Sequence, residues 1–598
     1  MSLAIRLLGK PQLQRDKVLV SPRARKTWAL LAYLLLCERP PPRSRVASVL
    51  FSEAEDPLGA LRWSLADLRR TLGAADTVVG DPLELKLPLG ASVDVIALTA
   101  PGEEGSFRRP EGELLEGMTF PTCSVFESWL GVMRRQLDGA ARAMMHDEAL
   151  ARLAAGDTAR ASELAGYLVS EDPLDQAGQE LLIRCLARSG RGQAAERQLA
   201  ECEALFRREL GVLPGPELRS AATEDDLMAA KAVGDSSAAL AQLEAGRAAL
   251  DAGAVEPGVQ ILRQACAEAA ASGDAPLHAR CLAALGAALV HGVRGRDEEG
   301  ALRLHEALRL AEACGERATV AAACRELGYV DVQAGRGPSA GRWLTRATEL
   351  ADGNEELCSV LGVRGMALSD RAHYGAALDL LNRSVARAER CDRRRQAAWS
   401  LSLIGRIHLL RGELSLAVPV LDECLALVAA DRWTAFRPWP DSLRAEASLL
   451  MGRPDEAAER LDHAFRLACG LGDPCWEAMG ARLTGLLAAD AGDAAKAREH
   501  LADATARATR VSDVYQWVHA HVLDTSAALA VDTGDDDAVA IVDRLAKLAE
   551  RCGMRELVVR AHAHRAQLGD PGSLEAARLL ATEIDNPMLD ALVAAVPA

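Results

Sequence analysis

The spacing of apolar residues changes near the start of the chain. Leu3–Leu8 and Lys17–Val20 are short apolar segments on either side of a turn at residues 9–11, which predicts two strands. From residue 21 onward, apolar residues recur mostly three and four positions apart, the spacing of an amphipathic helix. The pattern therefore predicts a mainly α-helical protein whose N-terminal part also contains small β-sheets.

Two helices are predicted directly after these strands. Ser21 and Pro22 suit the N-cap and first position of a helix, and consecutive prolines at Pro40–Pro42 would end it. A shorter helix is predicted for Ser44–Phe51.

A third helix is predicted from Asp56-Pro57 to about Leu72, with Gly73 ending it. Its apolar face consists of Leu58, Leu61, Leu65, Leu68 and Leu72. Its other side consists of Arg62, Trp63, Ala66 and Arg70, and Arg69 flanks the apolar stripe.

A β-hairpin is predicted next, from Thr77–Val79 and Leu83–Leu87 around a turn at residues 80–82. Strands, three helices and a hairpin are the order of elements in a winged helix. Such a fold can place its third helix in the major groove of DNA, where Arg contacts guanine edges and phosphates.

Charge is distributed unevenly in this chain of 598 residues. Residues 1–75 carry 13 Lys and Arg against 6 Asp and Glu, a net charge of +7. The chain carries −16 in all, so the remaining residues carry −23. This distribution predicts that only the N-terminal part approaches a polyanion.

Residues 22–72 resemble a known type of regulator. The segments RARKTWALLAYLLL, RSRVASVLF and ALRWSLADLRRTLG resemble the OmpR-like winged helix of antibiotic-regulatory (SARP-type) bacterial activators. The continuation, LEGMTF followed by FESWLGVMRRQL and a stretch ending in FRRELGVLPGPEL, resembles the bacterial transcriptional activation domain that follows it in that family.

This resemblance implies a transcription regulator, more specifically an activator, that binds promoter DNA. It also implies RNA polymerase and a second protomer as partners. The positions that it assigns to DNA binding are Arg23, Arg25, Lys26, Arg43, Arg45, Arg62, Trp63, Arg69, Arg70 and Lys86. Arg62 and Trp63 are expected nearest to bases, and the arginines near helix starts are expected at phosphates.

From Gly156 onward the chain repeats. Turn glycines recur, with Gly412, Gly452 and Gly492 spaced 40 residues apart, and small residues stand at fixed distances around them. Ala372 takes the turn position in one repeat. Small residues allow paired helices to approach closely, and stacked pairs bury a continuous core. The spacing of turns and small residues matches tetratricopeptide-like (TPR-like) repeats and predicts an α-solenoid.

Four parts of the chain follow from these patterns. They are a winged helix at residues 1–100, an all-α activation domain at 110–220, a linker at 221–240 and a TPR array at 241–598. The array is expected to receive an unidentified protein or small-molecule signal.

Six residues of the array form a candidate surface for that ligand or partner. They are Trp399, Trp433, Phe436, Arg437, Trp439 and Arg444. Aromatic side chains at equivalent positions of successive repeats can line a pocket, and Arg can bind an anionic group. The same aromatic side chains could instead pack between repeats, as the repeat pattern itself requires.

No cofactor, metal or catalytic site is predicted. The chain has no phosphate-binding loop. The GxSxG letters at 337–341 lie in a repeat turn, whereas a nucleophile elbow requires a strand before them. Paired histidines two apart on a helix point in different directions.

The 14 cysteines are dispersed, which predicts buried thiols in a reducing cytoplasm. No apolar run is long enough to cross a membrane, so no membrane is expected as a partner. The sequence thus predicts a cytoplasmic protein that associates with the nucleoid when it binds DNA.

The alternative function is a TPR interaction scaffold whose winged helix does not bind DNA. This alternative predicts weak DNA binding with little dependence on salt.

Overall fold

The protein is described by a computed structural model, which covers residues 2–74, 76–99, 112–223 and 234–597. These residues form six strands and 28 helices. The strands are β1 (Leu3–Arg6), β2 (Gln12–Arg15), β3 (Val18–Val20), β4 (Val78–Val79), β5 (Glu84–Leu85) and β6 (Ser92–Val93).

The first nine helices precede residue 224. They are α1 (Arg25–Leu36), α2 (Arg43–Phe51), α3 (Pro57–Leu72), α4 (Asp94–Thr99), α5 (Ser124–Ala154), α6 (Thr158–Glu171), α7 (Gln176–Arg188), α8 (Gly192–Glu209) and α9 (Glu217–Thr223).

The remaining helices follow residue 233. They are α10 (Ser236–Asp251), α11 (Val255–Ser272), α12 (Ala275–Gly292), α13 (Asp297–Cys314), α14 (Arg317–Gln333), α15 (Gly337–Leu350), α16 (Gly353–Asp370), α17 (Tyr374–Arg390), α18 (Arg394–Leu410), α19 (Leu414–Ala430), α20 (Pro438–Leu450), α21 (Pro454–Leu471), α22 (Pro474–Asp490), α23 (Ala494–Ala508), α24 (Gln516–Thr533), α25 (Ala538–Cys552), α26 (Arg555–Gln567), α27 (Pro571–Ala581) and α28 (Pro587–Ala595).

The N-terminal strands form a four-stranded sheet in the order β3-β2-β1-β6. Both predicted strands are present, as β1 and β3, but β2 lies between them where the sequence predicted only a turn and a connection. Leu13 of β2 pairs in register with Ile5 of β1, and both side chains are buried, while Gln12 and Gln14 are exposed. This short alternation of polar and apolar residues is the signature of a half-buried strand.

Helix α1 begins at Arg25, so the predicted cap at Ser21 and Pro22 was wrong. Its N-cap residue is Ala24, which makes no capping hydrogen bond through its side chain. The preceding segment is held instead by helix α3, because the backbone N–H of Arg23 donates to Oδ2 of Asp67 at 2.9 Å. The end of α1 before the proline run is confirmed.

Helices α2 and α3 and the β4–β5 hairpin confirm the predicted winged-helix order. One residue of the predicted apolar face of α3 is placed differently. Leu58 lies in the first turn of α3 and is 49% exposed, whereas Leu61, Leu65, Leu68 and Leu72 are buried. The packed part of the helix therefore starts one turn later than the leucine pattern suggested.

The chain forms two compact units. The first contains residues 1–141, 537–585 and 589–598, so it joins the winged helix to helices α25–α27 near the C-terminus. The second contains residues 142–536 and 586–588. The predicted boundary at residues 100–110 lies outside the described residues. Residues 224–233 of the predicted linker also lie outside them, between helices α9 and α10.

The second unit consists of successive helix pairs, which confirms the predicted helical repeats. Neighbouring helices pack as α10 with α11, α12 with α13, and so on to α22 with α23. Ala372, predicted at a turn position, has a φ of 59°, the left-handed conformation that the glycines at equivalent turns adopt. A repeat turn therefore requires this backbone conformation even where the residue is not glycine.

Small residues lie where the paired helices approach each other. At Gly405 a Cβ atom would lie 2.5 Å from Cδ2 of Leu421 on the partner helix, closer than packed atoms can be. Alanines five positions after the turns are buried, among them Ala340, Ala417 and Ala457. Closely packed helices therefore form a continuous core in this chain, although it has few large aromatic side chains.

Candidate nucleic-acid interface

Helix α3 is capped at both ends by local residues. Oδ1 of Asp56 accepts a hydrogen bond of 2.8 Å from the backbone N–H of Gly59, and Pro57 occupies the first turn. Gly73 ends the helix with a φ of 89°. These caps fix where the helix begins and ends, and the buried leucines Leu61, Leu65, Leu68 and Leu72 fix which face points outward.

The outer face of α3 carries the exposed side chains Arg62, Trp63, Ala66 and Arg70. Arg62 forms an ion pair with Asp56 at 3.3 Å in which both side chains are mostly exposed. Trp63 is 52% exposed, a large apolar surface to leave in water. This face presents two guanidinium groups and an aromatic ring on one rigid helix.

Arg69, on the flank of α3, makes contacts within the domain. Its Nε and Nη2 donate to the carbonyl oxygen of Val78 at 3.0 and 2.6 Å. Because Val78 belongs to β4, these hydrogen bonds link the hairpin to helix α3. Lys86 is exposed just beyond β5, and its Nζ lies 3.3 Å from Glu84.

Asp67 lies on the inner side of α3, and no pattern in the sequence singles it out. Its carboxylate is buried and accepts hydrogen bonds from Nη2 of Arg70 at 2.5 Å, from the backbone N–H of Arg23 and from Oγ1 of Thr27 at 3.1 Å. Burial raises the pKa of Asp67, but the bonds from Arg70 and the other donors outweigh it and leave the pKa below its ordinary value.

The predicted phosphate contacts at the helix starts differ in their surroundings. Arg23 and Arg25 are exposed. Lys26 forms an ion pair with Glu53 and lies 5.2 Å from the ring centre of Phe51. Arg43 is tied to the turn of the hairpin, because its Nε donates to the carbonyl oxygen of Gly80 at 3.0 Å. The structure therefore leaves two of these four cations open to solvent.

Arg45, at the start of α2, contacts residues near the C-terminus of the chain. Its Nη2 donates to Oε1 of Glu583 at 2.8 Å and to the carbonyl oxygen of Leu579 at 3.1 Å. Beside it, Nη1 of Arg555 pairs with Oε2 of Glu38 at 2.5 Å, and its Nη2 donates to the carbonyl oxygen of Glu583 at 2.7 Å. The α1–α2 corner thus forms one ion pair with Glu583, just after α27, and one with Arg555, at the start of α26.

Arg15 is a second residue that sequence reasoning missed. Its Nη1 lies 3.3 Å from the carbonyl oxygen of Arg70 and 3.2 Å from that of Thr71. Carbonyl groups in the last turn of a helix lack partners within the helix, and a cation satisfies them. An arginine on β2 gives no local signal of this role, since the contact spans 55 positions.

Aromatic side chains join the winged helix to the start of helix α5 within the first unit. The ring of Tyr33 on α1 lies 5.0 Å from that of Trp129, edge to face, and Trp129 stacks on Phe126 at 5.3 Å. The thiol of Cys123 also donates to the carbonyl oxygen of Leu50 at 3.2 Å. The α5 segment up to residue 141 and the winged helix therefore share one core.

The six array residues that the sequence proposed as a ligand surface belong largely to packing and ion pairs. Phe436 and Trp439 are buried, and Trp433 stacks on Phe436 at 4.3 Å. Nε of Arg437 donates to Asp441, and Nε of Arg444 donates to Asp422, each at 2.9 Å. Trp399 is half-buried. The aromatic rings thus form part of the contact between repeats.

The helices after residue 111 match a known family. The model of the bacterial transcriptional activator domain matches residues 111–224. Residues 111–224 thus resemble this domain family, and the match concerns this part of the chain alone. This match confirms the predicted resemblance of this stretch to the bacterial transcriptional activation domain. This family points to a transcription regulator.

The chain is similar to several solved structures of helical proteins. EmbR of Mycobacterium tuberculosis in complex with a low-affinity phosphopeptide is 21% identical and has a TM-score of 0.31, covering 37% of this chain and 64% of EmbR. A Rap protein complexed with competence and sporulation factor is 14% identical, with a TM-score of 0.38 and coverage of 58% and 89%. Yeast Tom70 is 11% identical, with a TM-score of 0.33 and coverage of 79% and 95%.

No curated protein matches the chain. The chain spans just under two thirds of the length of EmbR.

Three further observations concern other kinds of site. Over the residues that the structure describes, His, Cys, Asp and Glu form no group able to hold a metal ion. None of the described helices has both the length and the hydrophobicity needed to cross a membrane. The GxSxG letters at 337–341 form the first turn of helix α15, where the Ser339 side chain is buried.

Proposed function

We propose that the protein is a sequence-specific DNA-binding transcriptional regulator, more specifically an activator, that acts in the bacterial cytoplasm. The observation that carries this proposal is the outer face of α3, where Arg62, Trp63 and Arg70 are exposed on a helix capped at both ends. A bacterial transcriptional activator domain in the same chain supports it.

The exposed face of α3 suits contact with base edges. Arg donates two parallel hydrogen bonds to guanine in the major groove, and the apolar ring of Trp63 suits contact with sugars or thymine methyl groups. Arg23, Arg25 and Lys86 are exposed around this helix and suit contact with phosphates, which fix position without reading sequence. In this arrangement α3 reads the bases, and the exposed cations around it bind the phosphates.

The activator domain is proposed to contact RNA polymerase or a second protomer. Its first helix, α5, shares an aromatic core with α1 through Tyr33, Phe126 and Trp129. Such a core fixes the first part of α5, up to residue 141, against the winged helix. The helical repeats after residue 241 are proposed to receive the signal.

Regulation is proposed to act through the contact between α2 and the end of α27. Arg45 can reach a phosphate only when it leaves Glu583 and the carbonyl oxygen of Leu579. A signal that weakens this contact would free a cation for DNA, which is a shift between two states of different DNA affinity. The ion pair of Arg555 with Glu38 belongs to the same restraint.

The test is a selection of genomic DNA fragments by the full-length protein, followed by affinity measurements at several salt concentrations. A DNA reader that neutralises several phosphates loses affinity steeply as salt rises, because bound counterions are released. Fragments that share a sequence and bind with this salt dependence support the proposal. Weak binding with little dependence on salt contradicts it and favours the interaction scaffold.

A further inference from the structure

Two parts of the second unit meet through charged side chains. One is the activator segment, residues 142–223, the described portion of the family match within this unit. The other is helix α13 of the repeat array. Their contact, the α13 interface, consists of three pairs: His146 with Glu298, Asp147 with His305, and Arg188 with Glu306.

The two pairs at α5 are reciprocal. Nε2 of His146 lies 2.9 Å from Oε2 of Glu298, and Nε2 of His305 lies 3.2 Å from Oδ1 of Asp147. His146 and Asp147 are neighbours on α5, whereas Glu298 and His305 are two turns apart on one face of α13. Each helix therefore supplies one histidine and one carboxylate to the other.

The third pair lies at the edge of the interface. Nη1 of Arg188, in the last turn of α7, donates to Oε1 of Glu306 at 2.9 Å. Oε2 of Glu306 also accepts from Nη1 of Arg303 at 2.9 Å. The side chain of Arg188 is 33% exposed and that of Glu306 is 12% exposed. A substitution here changes the charge of the interface without leaving a fully buried charge behind.

The carboxylates that α13 contributes are held in the ionised form. Burial raises the pKa of Glu298, but the neighbouring charge of His146 outweighs it and lowers the pKa to about 2. Burial also raises the pKa of Glu306, and the charges of Arg303 and Arg188 outweigh it and leave the pKa below its ordinary value. The α13 interface is therefore an ionic contact at neutral pH.

Each side of the interface has an apolar core of its own. On the array side α13 packs closely on α12, because a Cβ atom at Gly300 would lie only 3.0 Å from the carbonyl oxygen of Gly286. On the activator side Ile183, Phe206 and Leu218 belong to a separate core. Opening of the interface would therefore leave both cores intact, and its charged side chains would regain contact with water.

We propose that the α13 interface is an autoinhibitory contact, which withholds the activator segment from its protein partner and opens when the repeat array receives its signal. An ionic contact suits a reversible interface, because separated ions are rehydrated, whereas separated apolar faces are not. The inference deepens the proposed function, on which it rests, because it names the contact through which the array acts on the activator segment. It is distinct from the restraint proposed at Arg45, which concerns DNA binding.

Glu306→Lys tests the interface from the array side and leaves the activator segment unaltered. The introduced ammonium group repels Arg188 and Arg303, so the interface is expected to open more often. Hydrogen exchange of the peptide spanning residues 297–306 in the full-length protein measures this opening. The first N–H groups of α13 have no partners within the helix, so burial protects them. Exchange is expected to be about tenfold faster than in wild type, because repulsion replaces a charge-assisted hydrogen bond.

Two further variants separate a lost contact from a general effect of charge. Glu349→Lys, an exposed carboxylate on α15, is the matched control and is expected to exchange as wild type does. Arg188→Glu added to Glu306→Lys restores opposite charges and is expected to return exchange towards the wild-type rate. Circular dichroism establishes that each variant is folded. Equal exchange in Glu306→Lys and Glu349→Lys, or fast exchange that persists in the double variant, overturns the inference.

The regulatory part is measured by transcription with purified bacterial RNA polymerase from a DNA fragment that the full-length protein binds. Glu306→Lys is expected to raise transcription several-fold at unchanged DNA affinity, and the double variant is expected to reverse this gain. Transcription that stays at the wild-type level although exchange is faster contradicts an autoinhibitory role.

Failure of this inference is distinguishable from failure of the proposed function, since the exchange measurement requires neither DNA nor polymerase. A protein that binds DNA but whose exchange is unaffected by Glu306→Lys retains the DNA-binding function and loses the α13 interface as a regulatory contact. A protein that shows the expected exchange but binds no DNA retains an interface that opens and loses the regulatory function.

Discussion

Arg62 is the side chain of α3 whose removal tests base recognition most directly, because it is exposed and its only described ion pair is with Asp56 in solvent. Arg62→Ala is expected to weaken binding to a selected DNA site by about 1–3 kcal/mol, the usual value for a guanidinium contact with guanine. Fluorescence anisotropy with labelled DNA measures the change.

Arg247→Ala is the matched control for this substitution. Arg247 is an exposed helical arginine with an acidic neighbour, Glu244, at 3.2 Å, and it lies on α10 in the second unit. Its loss changes the net charge equally and is expected to leave DNA affinity nearly unchanged. Equal affinity of the Arg62 variant and wild type would refute the assignment of Arg62.

Asp67 is predicted to stabilise the winged helix at neutral pH. Its pKa is lower in the folded protein, so its contribution is present above the ordinary carboxyl pKa of about 4 and is lost as pH falls through the lowered value. Asp67→Asn is expected to reduce the local stability of α3 by about 1–3 kcal/mol, because buried donors lose their acceptor.

Hydrogen exchange of the peptide spanning residues 57–72 measures this effect. At neutral pH exchange is expected to be faster in Asp67→Asn, and the difference from wild type is expected to shrink in acid. Asp76→Asn, an exposed carboxylate of the same domain, is the control. A difference between variant and wild type that persists unchanged in acid would contradict the role of the Asp67 charge.

The sequence could predict which residues face outward on α3, but not what the inward ones contact. Arg62, Trp63 and Arg70 follow from helical periodicity, which is a local property. Arg45 meets Glu583 across 538 positions, and the contact of Arg69 with Val78 depends on how the hairpin folds back. Such partners follow from tertiary structure, and no periodicity in one segment encodes them.

At the scale of elements, the contact of α2 with the end of α27 is predicted to restrain DNA binding. Glu583→Gln removes the charge that pairs with Arg45 and is expected to raise DNA affinity several-fold. The slope of log affinity against log salt is expected to steepen by about one, since one more cation reaches a phosphate.

Glu575→Gln provides the comparison for Glu583→Gln, because Glu575 is an exposed carboxylate on the same helix, α27. It changes net charge by the same amount, so any effect of overall charge on DNA affinity appears in both variants. A gain in affinity of equal size in the two variants would argue against a specific restraint at Arg45.

Close packing of paired helices predicts a second effect at this scale. Gly405→Ala places a Cβ atom against Leu421 and is expected to destabilise helices α18 and α19 by about 1–3 kcal/mol, despite the higher helix propensity of alanine. Gly341→Ala, on α15, meets open space and is expected to stabilise its helix by up to about 1 kcal/mol.

Hydrogen exchange of peptides from α15, α18 and α19 distinguishes these two glycine substitutions. Faster exchange in Gly405→Ala together with equal or slower exchange in Gly341→Ala is the expected result. If both variants exchange as wild type does, the close approach at Gly405 does not constrain the repeat.

The repeats were the part of the fold most accessible to sequence reasoning. Their turns, small residues and spacing recur, so even Ala372 at a turn position could be predicted and is confirmed by its positive φ. The cap of α1 could not be predicted, because Ser21 and Pro22 have the right local chemistry but Asp67 on α3 holds the segment that follows them. Tertiary hydrogen bonds override local capping preference there.

At the scale of the whole molecule, charge separates the winged helix, which is proposed to bind DNA, from the rest of the chain. Residues 1–75 carry +7 within a chain of −16. Positive charge around α3 favours association with DNA, whereas the remainder is repelled by phosphates, so contact is expected through one domain alone. Arg23, Arg25 and Arg62 are already exposed, and release of Arg45 from Glu583 is predicted to add one more cation.

The most direct measurement of the central claim is a footprint of the full-length protein on fragments selected from genomic DNA, at two salt concentrations. Protection of a short repeated sequence, weakened steeply by salt and lost in Arg62→Ala, is the predicted result. Absence of any protected sequence, or binding that neither salt nor Arg62→Ala changes, would contradict a DNA-reading function and point to an interaction scaffold.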